Sequence, residues 1–154
     1  MSHVVTIKAE ITDLEALGEA CTALGLELVL GQETFKWWGR HEGDFPVPAG
    51  FTVEDMGKCE HAIRIPLDSP VRQQHRMPYE VGVVARRDGR PGWQLMYDFV
   101  GRGFGMEQMA GKDCGKLVAE YGGVRAKQQA ARLGYRFTEQ RRQDGSLHKL
   151  TISR

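Results

Sequence analysis

Apolar and polar residues alternate along the first eleven positions of the chain, as they do in a strand with one buried face. The predicted strand spans residues 3–11, and its apolar face carries Val5, Ile7, Ala9 and Ile11. A helix is predicted next, because Thr12 is a suitable N-cap and Glu15 completes a capping box with it. Gly25 marks the end of this helix. The chain therefore opens with a strand followed by a helix.

Further strands are predicted from shorter alternating segments. Three of them fall at residues 26–30, 33–38 and 59–65. Alternation is clearest in residues 79–86 and 93–99, and the glycines and proline between these segments supply the turn of a hairpin. The central part of the chain is therefore predicted to form an antiparallel sheet.

The last forty residues predict a helix and a second hairpin. The helix spans residues 113–133, and we expect a kink where Gly122 and Gly123 interrupt it. The hairpin pairs residues 135–142 with residues 147–153.

These elements predict a single α+β domain over residues 1–154, with about six or seven strands. Both principal helices end in Leu-Gly before a strand, which favours a two-layer sandwich of ferredoxin-like character, with an antiparallel sheet and two main helices on one face. Residues 39–58 and 66–78 lack periodicity and are predicted to be long irregular loops.

Composition is that of an ordinary globular protein, with 41% hydrophobic and 27% charged residues. No apolar run approaches the roughly 20 residues of a membrane-spanning helix, so we expect no membrane partner. The half-polar first strand does not resemble a secretory signal, and the three cysteines are odd in number and widely spaced. We therefore expect a reducing, cytoplasmic location.

Charge is unevenly distributed, although the formal net charge is only +1. Residues 1–60 contain four Lys or Arg against eleven Asp or Glu, and residues 115–154 contain nine against three. The two halves could neutralise each other, or the basic end could bind an anionic partner. The arginines that would contact such a partner are Arg125, Arg132, Arg136, Arg141 and Arg142. Basic residues on a terminal hairpin could equally discourage edge-to-edge pairing.

Trp37 and Trp38 are a second candidate contact surface. If they lie on the predicted strand 33–38, their rings point to opposite faces of the sheet. One ring would then be exposed unless a loop covers it, and an exposed ring could stack on a base or anchor a partner helix.

The ends of the chain and its central hairpin resemble a known family. The residues that carry the resemblance are Met1-Ser2-His3, Thr6-Ile7, Leu24-Gly25, Tyr79-Glu80-Val81-Gly82 and Leu133-Gly134-Tyr135. They resemble the small hypothetical chloroplast reading-frame thirty-five family, which also occurs in cyanobacteria and other bacteria. The loops at 39–58 and 66–78 look longer than those of the family, and Asp98-Phe99-Val100 follows the hairpin where the family has a tryptophan pair. The resemblance implies no activity and no catalytic residues.

Catalytic and metal-binding motifs are incomplete in this sequence. Cys59 and His61 would share one face of a strand and are weak candidates for metal ligands, but a zinc site needs further ligands from distant loops. The glycines of residues 101–111 lack the spacing of a dinucleotide or phosphate loop. Cys114 would lie near a helix N-terminus, which lowers a thiol pKa, although a structural cysteine is the simpler interpretation.

We therefore expect a non-catalytic accessory or binding protein without a cofactor. Its partner would be a protein or a nucleic acid, bound through the basic C-terminal hairpin and residues 35–58, which include Trp37 and Trp38. The alternative is a small metal- or nucleotide-dependent enzyme that uses Cys59 and His61 or the glycine-rich residues 101–111.

Overall fold

The computed structural model describes residues 4–154, except for the side chains of residues 7–9. The predicted first residue of the opening strand and the predicted inward positions of Ile7 and Ala9 lie outside this description. Strands in the described part of the chain are β1 (Val4–Ile11), β2 (Glu27–Leu30), β3 (His61–Arg64), β4 (Val81–Ala85), β5 (Trp93–Asp98), β6 (Arg136–Arg141) and β7 (Leu147–Ser153). The α-helices are α1 (Leu14–Ala23), α2 (Val71–Gln74), α3 (Met106–Ala110) and α4 (Gly115–Arg132).

The strands form two antiparallel sheets, so the α+β class predicted from the sequence is confirmed. Five strands make the main sheet in the order β1-β5-β4-β3-β2. The remaining strands, β6 and β7, pair only with each other. Because every neighbouring pair in the main sheet is antiparallel, β1 and β2 run parallel to each other at its two edges.

The main sheet is covered on both faces by apolar residues. One cluster joins α1 and α4 to the sheet through buried residues such as Leu17, Leu117, Ile63, Val83 and Leu95. The opposite face is covered by loop residues, and its buried cluster comprises Val4, Phe35, Met56, Cys59, Ala62, Val84 and Met96. Both main helices therefore contribute to the same face of the sheet. None of the described helices has the length and apolar character that a bilayer span requires.

The N-terminus of α1 differs from the prediction by one residue. Asp13, not Thr12, is the N-cap, and its Oδ1 accepts a hydrogen bond from Ala16 N over 3.1 Å. The amides of Thr12 and Asp13 both donate to Tyr121 Oη, at 3.0 and 3.2 Å. The prediction of a capping box at Thr12 is therefore wrong. Tyr121 of α4 accepts the hydrogen bond from the Thr12 amide, which the Glu15 side chain was expected to accept.

Helix α4 is continuous through its two glycines, so the predicted kink is wrong. The structure gives Gly123 a packing role instead: a Cβ atom at this position would lie 2.5 Å from Leu147 Cδ2. At Gly122 a Cβ atom would meet no atom within 4 Å. Gly123 therefore allows β7 to approach the helix closely, whereas Gly122 faces open space.

Candidate functional site

Residues 33–38 do not form the predicted strand. The only ladder contact there in the described structure is an isolated bridge between Thr34 and Lys58. Two buried carboxylates hold the segment instead: Glu80 Oε1 accepts from Lys36 N over 3.0 Å, and Asp98 Oδ2 accepts from Trp38 N over 3.3 Å. The segment therefore crosses the end of the sheet as an anchored loop.

Two glycines make room for the aromatic side chains of this loop. A Cβ atom at Gly82, in the middle of β4, would lie 2.5 Å from Phe35 Cδ1. One at Gly57 would lie 2.3 Å from Trp37 Nε1. Phe35 is thereby buried against the sheet, Trp37 is half-buried, and Trp38 is 45% exposed. Exposure to solvent thus increases from Phe35 through Trp37 to Trp38, and the rings do not alternate between two faces of a strand.

Beside this loop lies a groove of 680 Å³, which we call the aromatic groove. Four aromatic rings line it, those of Phe35, Trp37, Tyr79 and Phe104. The rings of Tyr79 and Phe104 meet edge to face with centroids 5.0 Å apart, and Phe104 remains 40% exposed. Burial, and then the nearby Asp98 carboxylate, raise the pKa of Tyr79, which therefore stays a neutral phenol at physiological pH.

Two cationic side chains, Lys36 and Arg76, line the aromatic groove, and His75 lines it as well. A second cavity of 530 Å³, which we call the glycine-rich pocket, contains Arg102, Lys112 and Lys116 together with glycines of the 101–111 segment. His75 lines both cavities. The two cavities therefore adjoin at His75.

The backbone of the glycine-rich pocket contains an unusual turn. Four consecutive residues have left-handed conformation, with φ of 62° at Gly101, 56° at Arg102, 63° at Gly103 and 50° at Phe104. For a residue other than glycine this conformation costs about 1–2 kcal/mol. The carbonyl of Gly103 accepts a hydrogen bond from Tyr79 N over 2.9 Å, which fixes the turn against the aromatic groove.

Three of the five predicted contact arginines are engaged within the chain. Arg125 pairs with Asp13 at 3.1 Å, and Arg141 pairs with the buried Glu120 at 2.6 Å. Arg142 donates to the carbonyl of Leu147 over 2.6 Å and supports the final turn.

Arg132 and Arg136 are exposed, and no carboxylate in the described part of the chain pairs with either of them. The hairpin thus offers fewer open cations than the sequence suggested.

Cys59 and His61 do not share a face of the sheet, so that prediction is wrong. Cys59 belongs to the loop-covered cluster, and its Sγ donates to the carbonyl of Gln32 over 3.2 Å. His61 stacks edge to face on Trp93, which packs against the helix-covered cluster. The chain is irregular at Cys59, since β3 begins only at His61, and period-two alternation does not extend back to the cysteine. Among the described residues, no group of three His, Cys, Asp or Glu side chains is placed to hold a metal ion.

The cysteines are buried and free. Burial raises the pKa of Cys21 to about 12, and burial together with Glu60 and Glu80 raises that of Cys59 to about 12. The pKa of Cys114 is also raised, first by burial and then by Asp113. The geometry therefore favours structural thiols.

Comparison of the chain with protein-family models, curated proteins and solved structures found no match. The resemblance to the reading-frame thirty-five family thus stays a prediction, and the site must be interpreted from its own geometry.

The aromatic groove was missed from the sequence except for Trp37. Its walls come from residues 35–39, 74–79 and 104, which are separated by loops that show no periodicity. Gly82 was the available signal, because a glycine inside a strand of valines indicates a close approach by another group.

Proposed function

We propose that the chain is a non-catalytic accessory or binding protein that engages a protein or nucleic-acid partner. The aromatic groove carries this proposal, because it combines partly exposed rings with cations that are open to solvent. No carboxylate of the described residues lies within ion-pair distance of Lys36 or Arg76. Such a surface suits a partner that presents an apolar or aromatic group beside a negative charge.

The groove supports the proposal better than the terminal hairpin does. Within the hairpin and α4, internal contacts already use Arg125, Arg141 and Arg142. Arg132 at the end of α4 and Arg136 at the start of β6 remain candidates for a secondary contact. We therefore expect variants in the groove to weaken binding more than variants of these two arginines.

An aromatic dye with a sulfonate group, anilinonaphthalene sulfonate, tests the groove directly. We expect saturable fluorescence enhancement with one dye per chain, and loss of most of it in a variant that combines Phe104→Ala with Arg76→Glu. The matched control combines Arg132→Glu with Arg136→Glu and should bind the dye normally. The groove proposal is contradicted if dye binding does not saturate, or if the control loses binding while the groove variant keeps it.

Three finer features are also proposed. The packing of α1 and α4 in one cluster supports a two-layer sandwich, and the parallel strands β1 and β2 with other strands between them support ferredoxin-like character. Three buried free thiols support a reducing, cytoplasmic location. Membership of the reading-frame thirty-five family is supported by the residues that carry the resemblance.

A further inference from the structure

The aromatic groove and the glycine-rich pocket meet at the left-handed turn. Phe104 lines the groove, and its neighbours Arg102 and Gly105 line the pocket. A Cβ atom at Gly105 would lie 2.9 Å from His75 Cδ2, so glycine at this position lets the turn pack against the histidine that borders both cavities. A ligand that extends over the turn could therefore occupy both cavities at once.

The rings of the groove can receive a planar group. Phe104 is 40% exposed, Trp37 is half-buried, and Tyr79 supports Phe104 from beneath by an edge contact. A supported, partly exposed ring loses little side-chain freedom when it stacks. Stacking of bases on such rings contributes strongly to the affinity of proteins for single strands.

The charge of the combined surface favours an anion. Four cations lack a carboxylate partner among the described residues, namely Lys36, Arg76, Arg102 and Lys112. Lys116 is paired with Asp144 at 2.8 Å, and Glu107 is the one carboxylate of the described residues that lines either cavity. The surface therefore carries a clear excess of positive charge close to its rings.

The left-handed turn places these two kinds of chemistry side by side. Arg102 and Phe104 are two residues apart, and both have a strained, left-handed backbone conformation. The glycines between and beside them are closely packed, since a Cβ atom would lie 3.0 Å from Phe99 Cδ1 at Gly103 and 2.7 Å from Val71 Cγ1 at Gly105.

We propose that the aromatic groove and the adjoining glycine-rich pocket together bind a nucleobase linked to phosphate, with the base against Phe104 and Trp37 and the phosphate between Arg102 and Lys112. The inference rests on the proposed function and names its ligand class. A nucleobase linked to phosphate is present both in a free nucleotide and in single-stranded nucleic acid. The proposed site spans two adjacent cavities. Both sources are therefore tested.

Fluorescence anisotropy with a labelled deoxythymidine oligomer of about a dozen nucleotides tests the strand, and competition by AMP tests the free nucleotide. We expect saturable binding of the oligomer that weakens as salt is raised. Phe104→Ala should lower the affinity about tenfold, and Phe104→Leu, which keeps apolar bulk, should lower it nearly as much because the ring is lost. Competition by AMP at micromolar concentration would identify a nucleotide site, and competition only by oligomers would identify a strand site.

Charge variants separate the phosphate contacts from general attraction. The variant Arg102→Gln with Lys112→Gln should weaken binding and reduce the slope of log affinity against log salt by about 1.4. The control Arg132→Gln with Arg136→Gln should leave both quantities nearly unchanged. Each variant is first checked for native circular dichroism and unfolding midpoint.

Two outcomes would overturn the inference. The first is no saturable binding of the oligomer or of AMP, and the second is binding that the Phe104 and Arg102 variants leave unchanged. If anilinonaphthalene sulfonate or a labelled peptide of alternating Glu and Phe still binds in the groove, the proposed function stands and only the nucleobase assignment fails. If these probes fail as well, the groove is not a binding site.

Discussion

The guanidinium of Arg141 donates to the carboxylate of Glu120 across 2.6 Å, and the exposed fraction of Glu120 is only 2%. The second oxygen of Glu120 accepts from Leu147 N over 3.0 Å. One buried side chain of α4 therefore binds both strands of the terminal hairpin. A two-stranded hairpin has little stability of its own, so this attachment is essential to it.

Replacement of Glu120 by Gln should detach the hairpin from α4. We expect a loss of about 2–4 kcal/mol in the free energy of unfolding, because Arg141 loses the buried one of its two carboxylate partners. Urea denaturation measures the loss. The matched control is Glu139→Gln, which removes a more exposed partner of Arg141 and should cost less than about 1 kcal/mol. Equal losses of unfolding free energy in the two variants would show that the burial of Glu120 does not make its contacts more stabilising than those of Glu139.

The adjacent glycines of α4 should respond oppositely to alanine. Gly122→Ala should stabilise the protein by about 0.5–1 kcal/mol, since alanine favours a helix and the new methyl group meets open space. Gly123→Ala should destabilise it by about 1–3 kcal/mol, because Leu147 must move. Thermal or urea unfolding distinguishes the two signs. Stabilisation by both substitutions would mean that β7 repacks without cost.

Acid should weaken the contact between Asp144 and Lys116. Hydrogen bonds from Lys116 and then from Ser146 hold the pKa of Asp144 well below its usual range. A lowered folded-state pKa contributes stability above the unfolded value of about 3.9, and this contribution is lost as the pH falls from there towards the folded pKa. Asp144→Asn should therefore be less stable than the parent at pH 6, and the difference should shrink below about pH 4.

The measurement is urea denaturation of both proteins at several pH values between 6 and 2. Asp68→Asn, at an exposed position, is the control and should track the parent throughout. A difference that stays constant down to the lowest pH would contradict the assigned role of Asp144.

The thiols should be unreactive in the native protein. Burial raises the pKa of Cys21 to about 12, and Cys59 and Cys114 are likewise buried with raised pKa values. We expect no rapid reaction with Ellman's reagent at pH 7.5 and release of three equivalents of thionitrobenzoate after unfolding in urea. A single fast thiol that disappears in Cys114→Ser would favour a reactive cysteine instead.

Sequence periodicity predicted the helices and strands in which buried residues recur at one regular spacing. Helix α1 places Leu17 and Cys21 in the core, and β4 and β5 place Val83 and Leu95 there. The predicted kink in α4 was wrong because the structural role of a glycine depends on which residues pack against it. Gly123 lies under Leu147, a contact that no pattern within the helix reveals.

The candidate site could not be predicted because non-local contacts build it. Residues 33–38 alternate like a strand, yet Glu80 and Asp98 bind the amides of this segment and hold it across the sheet end. Trp37 was identified, but its groove partner Phe104 is placed by a left-handed turn that propensities disfavour. The charged hairpin was predicted as a contact surface because the sequence does not show which arginines have partners inside the chain.

The strand order has a consequence for synthesis on the ribosome. The first strand pairs only with β5, whose residues Trp93–Asp98 emerge long after Ile11. At about 5–20 residues per second, β1 waits several seconds for its partner. During that interval its alternating apolar positions are open to other chains or to chaperones. Mutations that slow the appearance of β5 should therefore lower the yield of native protein even where they leave the finished fold equally stable.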